Sequence, residues 1–304
     1  MEKIAYGGWP NCIRIAKGPI ELIATTDVGP RIIRFGFSGG HNLFKEFEEH
    51  LGQTGGDEWR SYGGHRLWHA PEASPRTYVP DNEPVHADWD GKTLALSQET
   101  EAATGIKKDI RLCFTGDSGA VRLEHTLTNT NLWNVTLAPW ALSVMAQGGR
   151  AILPQEEFRS HLEYLLPARP LVLWHYTNMS DPRWRWGEKY IQLKQEPAVG
   201  VSKQKAGVLN KQGWAAYTLN GAVFVKRFAC IDPAPYPDYG CNNELYTDSD
   251  ILEVETLGPM VSLAANGGSV THVEHWKLFK ADIPEDEKGI DKTLLPLVQE
   301  VPRV

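Results

Sequence analysis

Four cysteines in 304 residues, Cys12, Cys113, Cys230 and Cys241, are too few and too scattered for a disulfide scaffold or a zinc ribbon, and no C-x-x-C pair occurs. Long apolar runs are missing too. Stretches such as Leu171-Val172-Leu173-Trp174 fall far short of the ~20 residues that a membrane-spanning helix requires. The opening MEKIAYGGWPNCIRIAKG holds no apolar signal core, so a cytoplasmic protein with reduced thiols and no membrane partner is expected. Clustered positive charge is absent: 31 Lys and Arg stand against 38 Asp and Glu, a net charge of −7, with no basic run longer than Lys107-Lys108. Nucleic acid is therefore not an expected partner, since phosphate binding draws on a concentrated basic surface. Walker and dinucleotide glycine patterns and a Gly-x-Ser-x-Gly elbow are lacking, which removes nucleotide cradles and serine hydrolases and leaves no cofactor expected.

What is present is period-two alternation. Ile110, Leu112 and Phe114 alternate with Asp109, Arg111 and Cys113, and Val121, Leu123, His125 and Leu127 alternate with Arg122, Glu124 and Thr126, a hairpin across Gly116–Gly119. The same pattern covers Glu21–Thr26, Arg31–Phe37, Thr93–Gln98, Thr136–Val144, Ala222–Phe228, Leu252–Thr256 and Val270–Phe279. Helical spacing is confined to Leu43–Leu51, to Phe158–Leu166 before Pro167, and to Glu285–Val298, which Pro296 should interrupt. With 41% hydrophobic and 23% charged residues, no linker and no repeat, residues 1–304 read as one all-β antiparallel sandwich domain with a few short helices. Eleven tryptophans suit either stacking on sugar rings or a bulky core.

Two segments interrupt the alternation with polar, aromatic and glycine residues: Arg60–Glu72 with its continuation to His86, and Pro235–Tyr246. They are the candidate site loops. His65, His69 and Glu72 have the spacing of a zinc pair on a helix, but Gly63-Gly64 and Pro71 oppose a helix there, and no metal is expected. Glu253 and Glu255 share one face of their strand, which is either a solvated face or a catalytic one. The Trp174–Tyr176 and Asp181–Trp186 cluster either walls a cleft or covers a sheet, and Arg183 with Arg185 would admit an anionic sugar.

The run LEVETLGP at 252–259, then ANGGS at 265–269 and a closing strand, resembles the end of a galactose mutarotase (aldose 1-epimerase) domain. Ile20–Phe44 resembles the opening hairpin of that superfamily, and GGHRLWHAPE, APWALSVM and PDYGCNNELYT are most similar to a bacterial mutarotase-like family of unassigned function. The resemblance implies a β-supersandwich and a small-molecule carbohydrate as partner. It makes Glu255 the catalytic base for the anomeric hydroxyl and Arg66 a grip on sugar hydroxyls, with Asp238, Asn242 and Glu244 as further sugar contacts. Trp68, Glu72, His86 and Arg183 complete the substrate-binding candidates. Mutarotases place the acid, a histidine, on a central strand, yet the matching Thr136–Leu142 has none. His65, His69 or His86 would then supply the proton from another direction, across a hollow shared with Glu255. Three functions are compatible with these residues: sugar 1-epimerisation, carbohydrate binding without turnover, and isomerisation or β-elimination on the same fold.

Overall fold

The alternating segments form strands as their side-chain period requires. In the computed structural model, which describes residues 1–116, 119–197 and 202–304, they build two antiparallel sheets. The larger runs through Glu2–Tyr6, Trp9–Lys17, Ile20–Thr25, Arg31–Phe37, His65–Ala70, Val135–Met145, Leu252–Leu257, Asn243–Thr247, Gln204–Val208 and Leu171–Leu173, with Val261–Leu263 beside Val135–Leu137. The smaller runs through Trp184–Trp186, Tyr190–Lys194, Arg150–Pro154, Trp214–Leu219, Ala222–Phe228, Gly268–Lys280, Ala120–Asn129, Ile106–Thr115, Thr93–Ser97 and His86–Trp89. The predicted hairpin pairs Phe114 with Val121 and Ile110 with His125; Asp117 and Ser118 of its turn lie outside the described residues.

Apolar residues of both inner faces interdigitate, with Phe35 and Phe44 of the larger sheet's side meeting Phe224 and Trp276 at centroid separations of 5.4–5.9 Å. The outer face of the smaller sheet is covered by the helix Glu287–Gln299, which buries Ile290, Leu294 and Val298 against Trp214, Val223 and Val225. Asp286 caps that helix by accepting from the Gly289 N–H at 2.9 Å. The helix passes through Pro296 without a break, because the proline lies in the last turn on the exposed side, where the carbonyl it leaves without a donor faces water.

Two other helical expectations fail. Residues 43–51 are held instead by Asn42, whose side chain accepts from the N–H groups of Phe35 and Phe44 and donates to the Ile33 carbonyl, drawing Phe44 into a bridge with Met145. Residues 158–166 are irregular apart from a turn at 161–163, and Leu162 is 94% exposed: the helix that their spacing suggests has no surface against which to bury its apolar face.

A polar cluster joins the two sheets inside the sandwich. From the larger sheet come His65, Ser143 and Thr256; from the smaller, His125, His272, Glu274, Lys226 and Trp276, all buried. His65 Nδ1 is 2.9 Å from Ser143 Oγ, His65 Nε2 is 2.7 Å from His125 Nε2, and His272 Nε2 is 2.8 Å from Thr256 Oγ1. Glu274 accepts from Lys226 at 2.9 Å, from Trp276 Nε1 at 2.7 Å, and from Thr256. His65, His125 and Glu274 hold their ligand atoms within 4.8 Å of one another. The Lys226 ammonium already neutralises the carboxylate, and the two imidazole nitrogens are hydrogen-bonded to each other, so the cluster is satisfied as a network joining the sheets.

Burial pushes all three histidines below their ordinary pKa, His272 to about 3, while Glu274 opposes the shift. A neutral histidine of this kind favours the folded state above the unfolded pKa near 6.5 and loses that contribution as the pH falls toward the folded value. Unfolding free energy is therefore expected to fall by about 2 kcal/mol between pH 7 and pH 5 from His272 alone, with His65 and His125 adding to the fall. Urea titrations at the two values check this, and His125→Gln should flatten the slope; a profile flat down to pH 5 contradicts it.

Candidate functional site

On the other face of the larger sheet, turned away from the smaller one, register lines up a second set of polar groups. Arg66 is paired with Leu142, Leu142 with Glu255, Glu255 with Glu244, and Glu244 with Gly207, one row across five strands. Along each strand every second residue joins it, which adds Trp68, Trp140, Glu253, Tyr246 and Lys205 to the same face. Gly207 is required here: a Cβ at this position would lie 2.5 Å from Cys241 Sγ and 3.2 Å from Glu244 Cγ. Its bare backbone lets Glu244 lie across the strand and the Lys205 side chain reach beyond it.

The centre of the face is the Lys205 ammonium. It is 2.8 Å from Glu244 Oε2 and 3.0 Å from Glu255 Oε2, and it stands 4.8 Å from the ring centroids of both Trp140 and Trp174. Trp140 Nε1 donates to the same Glu255 oxygen at 2.8 Å. Glu255 Oε1 and Glu244 Oε1 are buried without a hydrogen-bond partner. Beside them Arg66 stacks on Trp68 at 4.2 Å and on Trp59 at 5.3 Å, with Nη2 3.5 Å from Glu253 Oε1. Above this floor opens a cleft of about 420 Å³ lined by Glu72, Tyr78, Trp140, Trp174, Lys205 and Asp238. Glu72 accepts from the Tyr78 hydroxyl at the rim.

The protonation pattern follows from crowding carboxyls out of water. Burial, reinforced by Glu255 and Asp238, pushes the Glu244 carboxyl well above the usual range, although Lys205 opposes the shift. Glu253 rises to about 7 through burial and the nearby Glu255, with Arg66 opposing. Burial also raises Asp238. Burial alone would lower Lys205, but Glu244 and Glu255 hold its pKa well above the ordinary ammonium value. The floor therefore sets a fixed cation beside carboxyls that burial biases toward the protonated form, an arrangement able both to donate and to accept a proton.

Of the residues expected at the site, Glu255, Glu244, Arg66, Trp68, Asp238 and Glu72 come together on this face. The histidines do not. His65–Ala70 is a strand, so His65 and His69 alternate with Arg66 and Trp68 and point into the sandwich, where His65 joins the buried network and His69 Nδ1 meets Arg76 at 2.6 Å and Nε2 lies 3.9 Å from Glu101. The hollow expected to be shared by Glu255 and His65 is thus two sites on opposite faces of one sheet. His86 is exposed on the edge strand His86–Trp89 of the smaller sheet. Arg183 is bound bidentately by Asp181 at 2.9 and 2.8 Å, which removes it as a free anion grip. Asn242 holds the backbone of Asn210 through bonds of 2.6 and 3.1 Å.

Lys205 and Trp140 escaped the sequence reading. The central strand lacks a histidine and presents the Trp140 indole to the cleft. Lys205 lies on Gln204–Val208, a strand whose complete burial only the fold reveals.

No family model and no curated protein matches the sequence. Solved structures do. A galactose mutarotase-like protein from Lactobacillus casei aligns over 88% of this chain and 100% of its own, at TM-score 0.56 and 10% identity. The Slr1438 protein from Synechocystis aligns over 93% of this chain and 100% of its own, also at TM-score 0.56 and 10% identity. A TPR-domain containing protein from Parabacteroides distasonis aligns over 90% of this chain but 48% of its own, at TM-score 0.58 and 13% identity. The chain has the galactose mutarotase-like fold.

If Lys205 is the counter-charge of this floor, Lys205→Met leaves buried carboxyls without a cation and should cost about 3–5 kcal/mol of unfolding free energy in urea. Adding Glu255→Gln should recover part of that loss. A change below ~1 kcal/mol for the single variant contradicts the ion triad.

Proposed function

We propose that this protein is carbohydrate-active and that the cleft above Lys205 is its sugar site, the reaction being interconversion of sugar anomers. The observation that carries the reading is Glu255: one carboxylate oxygen is held by Trp140 and Lys205, the other is without a partner, and the residue lies beneath a tryptophan-walled cleft on a fold shared with a galactose mutarotase-like protein. Indole faces suit the apolar C–H face of a pyranose.

In the proposed reaction the proton of the anomeric hydroxyl passes to Glu255 as the lone pair on O1 forms the carbonyl and the bond from C1 to the ring oxygen breaks. The ring oxygen takes a proton from the Glu244 carboxyl, whose pKa burial raises well above the usual range. Rotation about C1–C2 and reversal of the two transfers close the other anomer, with no net change in atoms or charge. Lys205 holds both carboxyls in place and steadies the negative charge, and Arg66 orders the adjoining wall through Glu253 and Trp68. Glu255 is fully buried, so substrate contact requires side chains above it to shift.

That burial favours a second reading, sugar binding without turnover. Polarimetry of freshly dissolved α-sugars separates the two: accelerated equilibration, reduced by about 10²-fold or more in Glu255→Gln, is the expected result. Calorimetric binding that Trp174→Ala weakens, without any acceleration, would establish the binding module instead. Acceleration left intact by Glu255→Gln removes Glu255 as the base.

A further inference from the structure

Taken with the carbohydrate reading, on which it rests, the charge layout of the cleft says which sugars it takes. Each cation on this face is already answered: Lys205 by Glu244 and Glu255, and Arg66 by Glu253 and two indole faces. Glu72 and Asp238, which line the opening, have no cation within salt-bridge distance among the described residues. The unpartnered, fully buried Glu244 Oε1 lies below them. An incoming phosphate or carboxylate would meet carboxyl groups and no free cation. An ammonium would meet the Glu72 and Asp238 carboxyl groups at an indole-lined opening.

We propose that the cleft selects sugars bearing a protonated amine and rejects those bearing a phosphate or carboxylate. The restriction arises at Glu72 and Asp238 and differs from the expectation that Arg183 would welcome an anionic sugar, since that guanidinium is consumed by Asp181.

Calorimetry with D-glucosamine, N-acetyl-D-glucosamine, D-glucose and D-glucose 6-phosphate, at low and high salt, tests it. D-glucosamine should bind about tenfold tighter than either the N-acetyl sugar or D-glucose, a ratio worth ~1.4 kcal/mol, and D-glucose 6-phosphate weakest of all. High salt should compress the series. Glu72→Gln and Asp238→Asn should each lower the ratio of glucosamine to glucose affinity by about fivefold, or ~1 kcal/mol. Asn is well suited to position 238, whose φ is +50°. Glucosamine binding no tighter than glucose, or the phosphate binding as tightly as glucose, overturns the charge selection and leaves the sugar site standing. Binding of none of the four overturns the carbohydrate reading and this inference with it.

Discussion

One buried ammonium organises the candidate site. Lys205 lies between two carboxyls and two indoles on a sheet face that would otherwise bring Glu244, Glu253 and Glu255 together with only Arg66 to balance them. Like charges this close cannot all ionise out of water, so the cluster stores protons: Glu244 and Glu253 are displaced upward while Lys205 stays charged. The same crowding that makes the face costly to fold gives it acid and base character near neutrality.

The strand Leu252–Leu257 links this face to the interior. Glu253 and Glu255 point to the cleft, while Val254 and Thr256 point inward, Thr256 bonding to His272 and Glu274. A register slip of one residue would exchange the two sets, placing carboxyls in the sandwich and a threonine and a valine in the cleft. The Lys226 and Glu274 pair and the three histidines pin that register from the far side by requiring Thr256 and Ser143 as partners.

Most of the fold was legible because period-two alternation is a direct trace of a half-buried strand, and the segments read from it became strands of the two sheets. The same rule, carried across the loop-like stretch Arg60–Glu72, would have separated His65 and His69 from Arg66 and Trp68; reading that stretch as an irregular glycine-rich segment hid its strand and put histidines and arginine on one side. Lys205 was invisible for a different reason: its meaning comes from Glu244 and Glu255, which are 39 and 50 residues away in sequence and adjacent only through strand pairing. The tryptophans divide between core and cleft. Trp9, Trp214 and Trp276 are core, and Trp140 and Trp174 wall the cleft.

The fold is shared with mutarotase-like proteins, and the face that carries Lys205 is the site proposed here, although another opening, of about 600 Å³ beside Phe158, Tyr164 and Arg169, is larger. A crystal structure of the protein soaked with a monosaccharide is the most direct test of which one matters. The account predicts a pyranose ring between Trp140 and Trp174 with hydroxyls reaching Asp238 and Lys205; a sugar seated instead beside Phe158 and Arg169, with the Lys205 cleft empty, would contradict it.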